Sequence, residues 1–204
     1  MDYHPLYRHR LYLLGFVLLL TAGLAGCSLF NDDAEDACTE RFTDTVRVIP
    51  CKGVDGVVFG DTPAEVKATL GPPTVNQGWM DGLYRGWRTY EYLDGPYSEM
   101  LIGFLIEDDG VSFGPLDFIR LRAPYDGKTR EGIGIGSTRA EVEQHYGEPE
   151  RIHTAELTSG TVHLLTYCVG PAHFFNLVIQ GDTVEAMGMG YYQPVPEESP
   201  LNCQ

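Results

Sequence analysis

Residues 56–73 recur at 132–149, and this internal repeat constrains the chain more than any other feature of its sequence. The pairs Gly56/Gly132, Gly60/Gly136, Thr62/Thr138, Ala64/Ala140, Glu65/Glu141, Val66/Val142, Gly71/Gly147 and Pro73/Pro149 are identical at a constant offset of 76. Thr62 and Thr138 stand where a helix N-cap belongs, and Glu65 and Glu141, three residues on, can each close a capping box. Pro63 suits a first helical position; Gly71 and Gly147 suit the left-handed residue that stops a helix, and Pro73 and Pro149 keep it stopped. Each helix is thereby held to about eight residues, or about 12 Å. A helix that short does not stand alone, so Val66 with Leu70, and Val142 with Tyr146, must pack on a sheet.

The sheet is expected downstream of each helix. Strand-like runs occur at Trp87–Leu93, Met100–Glu107 and Asp117–Arg122, and again at Val162–Val169, His173–Gln180 and Val184–Tyr192. Alternation puts Tyr90 and Tyr92 on one face, while Gly170-Pro171 and Gly181-Asp182 supply hairpin turns. The fold class expected is therefore α+β: two tandem repeats, each a short helical segment followed by an antiparallel three-stranded sheet. The repeats occupy 51–126 and 127–193, behind an acidic tether at 27–50 and ahead of a Pro-rich tail at 194–204.

The Gly-x-[Ser/Thr/Asp]-Thr…Glu-Val…Gly-x-Pro signatures at 60–73 and 136–149, each followed by strands, resemble the β-lactamase-inhibitor-protein-like superfamily. That superfamily includes the small lipoprotein of the outer-membrane barrel-assembly machinery. The resemblance covers most of 56–192 and rests on helix capping, so it implies a fold more than an activity.

At the N-terminus, Arg8 and Arg10 precede an apolar run from Leu11 to Gly26 that is shorter than the roughly 20 residues of an untilted membrane span. Leu24-Ala25-Gly26-Cys27 resembles the bacterial lipobox, which makes residues 1–26 a signal peptide and Cys27 the lipidated first residue of the mature protein. Several acyl chains, at about 0.8 kcal/mol per buried methylene, anchor such a protein to the membrane durably. Ser28, where an Asp would retain a Gram-negative lipoprotein in the inner membrane, points by resemblance to the outer membrane. The run Asn31-Asp32-Asp33-Ala34-Glu35-Asp36 reads as a solvated spacer.

Chemistry is harder to find. A formal charge of −15, from 14 Lys+Arg against 29 Asp+Glu, argues against nucleic acid as partner. Gly132-Ile133-Gly134-Ile135-Gly136-Ser137-Thr138 lacks the Lys of a phosphate loop and the glycine spacing of a dinucleotide site. Gly110-Val111-Ser112-Phe113-Gly114 matches a hydrolase elbow in letters only, because Glu107-Asp108-Asp109 precedes it and a strand follows, so it reads as a hairpin connection. With Gly170-Pro171 as the turn, His173 falls opposite Cys168, but two soft ligands do not make a zinc site. No metal or other cofactor and no catalytic residue is assigned.

Cys38, Cys51, Cys168 and Cys203 are an even number of thiols in an oxidising compartment. Of three pairings, Cys38 with Cys51 and Cys168 with Cys203 are favoured, each contributing about 2–4 kcal/mol. Trp79, Tyr84, Trp87, Tyr90 and Tyr92 crowd the first repeat and serve either as core or as partner-binding anchors. The function expected is a non-enzymatic, lipid-anchored envelope protein that binds an envelope protein or aids envelope assembly. The alternatives are an inhibitor of a secreted or periplasmic hydrolase and an envelope enzyme with a site not evident in the sequence. Mass spectrometry of native protein should find an acylated Cys27 at the N-terminus; an intact Met1 terminus recovered from envelopes would contradict the anchor.

Overall fold

A computed structural model describes residues 38–81, 86–106, 112–170 and 173–191, and of 77–81 and 86 the backbone alone. These residues belong to the second of two compact units, Ala37–Gln204, the first being Met1–Asp36. The lipobox, Tyr84, the acidic turn at 107–109 and Cys203 lie outside the described residues.

The chain runs through β1 (Val48–Ile49), β2 (Gly53–Val54) and β3 (Val57–Val58), then helix α1 (Pro63–Leu70). Four strands follow: β4 (Val75–Asp81), β5 (Gly86–Tyr92), β6 (Met100–Ile106) and β7 (Phe113–Arg122). Helix α2 (Arg139–Tyr146) precedes β8 (Arg151–Leu157), β9 (Gly160–Cys168), β10 (His173–Gln180) and β11 (Thr183–Tyr191). Strands β1 to β3 form a small sheet; the other eight form one antiparallel sheet in the order β4-β5-β6-β7-β11-β10-β9-β8.

This overturns the expected architecture. The described chain is mostly β, each helix is followed by four strands instead of three, and the strands build one continuous sheet instead of one sheet per repeat. Two physical reasons account for the difference. The missed strands β4 and β8 are the sheet edges, and β8 is exposed along most of both faces, so Arg151-Ile152-His153-Thr154-Ala155-Glu156-Leu157 has no need of alternation. Separate sheets would leave β7 and β11 as free apolar edges, and pairing them to each other removes both.

Local expectations at the helices hold. Thr62 Oγ1 accepts from the Glu65 N–H (3.4 Å) while Glu65 Oε2 accepts from the Thr62 N–H (2.8 Å). The same box closes at Thr138 and Glu141, at 3.2 and 2.7 Å. In both, the backbone N–H first and the hydroxyl second hold the glutamate below the ordinary carboxylate range. The matched glycines before each helix clip it to the sheet. The Gly60 N–H donates to Leu116 C=O (2.9 Å) and the Leu116 N–H to Asp61 C=O (2.8 Å); Gly136, Ser137 and Val184 repeat this at 2.8 Å each.

Val66 and Leu70 of α1 and Val142 of α2 are buried. They share one core with Tyr90, Ile102, Phe104, Ile119, Leu165 and Phe175 on one face of the sheet, and with Val48, Val54 and Val57 of the small sheet. Tyr92 donates its hydroxyl to Gly71 C=O (3.1 Å) and Tyr167 to Gly147 C=O (3.4 Å), so each helix end is tied to a strand by a phenol. Burial chiefly pushes both phenols up, to about 12. The Cys38–Cys51 disulfide expected from the sequence is present, which fixes the inner end of the N-terminal segment to the folded unit. Cys168 is also disulfide-bonded.

Because the folded pKa of Tyr92 and Tyr167 lies above the ordinary value of about 10, their contribution to stability is complete below pH about 10 and is lost as pH rises towards about 12. A spectrophotometric titration should therefore show these two phenols ionising late and together with unfolding. Full ionisation of every tyrosine near pH 10 in folded protein would contradict the burial.

Candidate protein-binding face

Both helices pack on the face that carries Tyr90, Tyr92, Tyr167 and Phe175, and among the described residues the other face is free of helices. Strand alternation gives the residues of the other face. Thr89, Gly103 and Phe118 align across β5, β6 and β7, and the row continues through Gly190 and Phe174 to Cys168. Glycines in strand interiors mark this face, among them Gly103, Gly188 and Gly190. A Cβ on Gly103 would sit 3.3 Å from the Trp87 side chain, and one on Gly188 3.5 Å from the Phe118 ring. A Cβ on Gly190 would meet the Asp117 carbonyl oxygen at 2.5 Å and the Phe174 ring at 3.4 Å.

The rings thus lie down over the glycines instead of standing off the sheet. Trp87 and Phe118 have centroids 5.9 Å apart at 36°, and Phe118 and Phe174 are 6.4 Å apart at 34°, a continuous band across the middle strands. All three are half-buried. A bulge between Phe104 and Gly103 on the β6–β7 pairing accommodates Asp117, which is 3% exposed. The Trp87 Nε1–H donates to Asp117 Oδ2 at 2.7 Å, a charge-assisted bond that fixes the indole.

The structure distributes the aromatic candidates differently. Trp87 is on this face, whereas Tyr90 (3% exposed) and Tyr92 (4%) are core residues beneath α1, so they reach no partner directly. Trp79 is placed by its backbone on β4 opposite Arg88, and Tyr84 lies outside the described residues. Phe118, Phe174 and Asp117 were missed. The signal was present in Met187-Gly188-Met189-Gly190, where one face is apolar and the other has no side chains at all.

Other candidates disperse. Ser112 is exposed immediately before β7, and His163 Nδ1 lies 3.0 Å from Thr154 Oγ1. Cys168 pairs in register with Phe174, not His173; this one-residue shift turns His173 to the opposite face, where its ring lies 4.5 Å from Tyr191 and 5.4 Å from Phe59. In the glycine-rich loop before α2, the N–H groups of Gly132, Gly134, Gly136 and Ser137 are all spent on the protein itself. Among the described residues no three His, Cys, Asp or Glu side chains gather to hold a metal. Compared with family models, curated proteins and solved structures, the chain matches none.

What the face offers chemically is a flat, preorganised apolar surface with one fixed indole. Gly190→Ala should cost about 1–3 kcal/mol, several degrees in Tm, because the added methyl meets backbone. Gly188→Ala, facing ordinary contacts, should stay within about 0.5 kcal/mol. Equal Tm values for the two variants would contradict the packing described.

Proposed function

We propose that this protein is a non-enzymatic, lipid-anchored protein of the cell envelope that holds another protein on the helix-free face of its sheet. The observation that carries the reading is the Trp87–Phe118–Phe174 band. Aromatic side chains held rigidly on a surface supply large contact area at little entropic cost, which is what interface anchors require. The glycines beneath and the Asp117 bond on Trp87 supply that rigidity.

The lipobox supports the membrane part of the proposal, and Ser28 supports the outer membrane. From Cys27 to Cys38, where the disulfide begins the folded unit, eleven residues extend at most about 40 Å. A partner would therefore be met close to the membrane surface. Among the described residues no helix is long and apolar enough to cross a membrane. The residues shared by the two capping motifs serve caps, stops and clips to the sheet, and the nucleophile and imidazole candidates do not converge, which supports binding over catalysis.

The test is quantitative capture from detergent-solubilised envelopes. Trp87→Ala and Phe174→Ala should each lower partner recovery about tenfold or more, in protein that still unfolds cooperatively. Ser112→Ala and His173→Ala should leave recovery at the parent level. Undiminished recovery with both ring variants, or loss with Ser112→Ala alone, would overturn the proposal.

A further inference from the structure

The central strand carries a second feature on the same face. Beyond Phe118, alternation places Arg120 and Arg122 on the helix-free side of β7. Arg120 stands in register with Leu101 on β6 and Gly188 on β11, and Arg122 with Ala186. The cross-strand neighbours of Arg120 are thus aliphatic or absent, with Glu91 next in the row beyond Leu101, while Arg122 stands opposite Glu99, whose carbonyl accepts from the Arg122 N–H (3.1 Å).

Arg120 is half-buried, and among the described residues neither guanidinium forms a hydrogen bond or an ion pair. Elsewhere Arg47, Arg130 and Arg139 each hold a carboxylate, at Asp55, Glu40 and Glu143. Burial and the charge of Arg122 push the Arg120 pKa down, and the charges of Glu91 and Glu99 oppose the shift. Glu91 and Glu99 are the carboxylates near them, yet among the described residues neither reaches ion-pair distance, so in a chain with 29 Asp+Glu and a charge of −15 two adjacent arginines at the centre of one face hold no carboxylate. In the next strand positions of the same row, across Gly188, Asn176 has its Oδ1 buried without a partner. A half-buried cation and a buried acceptor both carry a desolvation cost that an incoming group can offset.

We infer that this face receives a protein segment presenting a carboxylate next to an aromatic or large aliphatic side chain. The carboxylate seats on Arg120 and Arg122, whose planar forks match its two oxygens. The apolar side chain lies on the Phe118 and Phe174 rings, and an N–H of the segment donates to Asn176 Oδ1. A protein segment fits better than a polyanion, because a single carboxylate in an apolar stretch meets the local cations without the long-range repulsion that a charge of −15 imposes on nucleic acid or an anionic membrane. The inference rests on the reading of this face as an interface and adds the chemistry of the partner.

A displayed library of random peptides, selected against the full lipoprotein in neutral detergent, tests it. Enriched peptides should carry Asp or Glu within about two residues of an aromatic or large aliphatic residue, the separation that shared contact with β7 and β10 allows. A synthetic peptide of the best sequence should lose about tenfold or more in affinity with R120Q/R122Q, and weaken as salt is raised, while R130Q leaves it unchanged. Arg122→Gln alone, at an exposed position, gives the same direction if the double variant unfolds. Enriched peptides that lack acidic residues, or that ignore R120Q/R122Q and Arg122→Gln but fail with Phe174→Ala, overturn the inference and leave the interface standing. Peptides indifferent to both sets of variants, or no enrichment, overturn the interface and the inference with it. Binding of phosphatidylglycerol vesicles that R120Q/R122Q abolishes would replace the protein segment with a lipid headgroup.

Discussion

The antiparallel pairing of β7 with β11 is the contact on which the rest of the structure depends. Five register pairs, from Ala186 with Arg122 to Gly190 with Phe118, join two four-stranded halves into one sheet. The pairing is possible at its Gly190 end only because that residue has no side chain to meet the Asp117 carbonyl. The same two strands also receive the helices: the loop before α1 bonds to Leu116 on β7, and the loop before α2 to Val184 on β11. Both helices are delivered to one face, and among the described residues the opposite face is left to side chains of the strands.

That division makes the two faces different in kind. Along β7, Ile119 and Leu121 are fully buried beneath the helices, while Phe118, Arg120 and Arg122 alternate with them on the other side. Along β11, Met187 and Met189 fill the core and the intervening Gly188 and Gly190 leave room for rings from both neighbours. The cost of ordering the Trp87, Phe118 and Phe174 side chains is met during folding, by the glycine floor and the indole bond to Asp117. In the proposed role, little of that cost remains when a partner binds.

Parts of this were legible in the sequence because they depend on local chemistry. Thr62 with Glu65, Thr138 with Glu141, and Gly71 and Gly147 at the helix ends declare themselves within a few residues. The alternation that puts Tyr90 and Tyr92 on one face is equally local, and both prove to be core. The parts that were not legible depend on residues far apart in the chain. Edge strands β4 and β8 lack the alternation that burial imposes on one face, so their pairing leaves no apolar pattern. His173 exchanged faces because the connection from Cys168 is one residue longer in register than a Gly170-Pro171 turn implies. The union of β7 with β11 brings residues about seventy positions apart to adjacent strands, and only the repeated glycines of β11 hinted that something lies flat against them.

The central claim is that the helix-free face, and not the helix-covered one, meets the partner. A photo-crosslinking residue placed at Asn176, on the aromatic face, and separately at Gln144, on the exposed side of α2, measures this directly in intact envelopes. Crosslinking to a discrete protein from position 176, with none from position 144, is the result expected. The same adduct from position 144 and none from position 176 would place the partner on the helices and contradict the account.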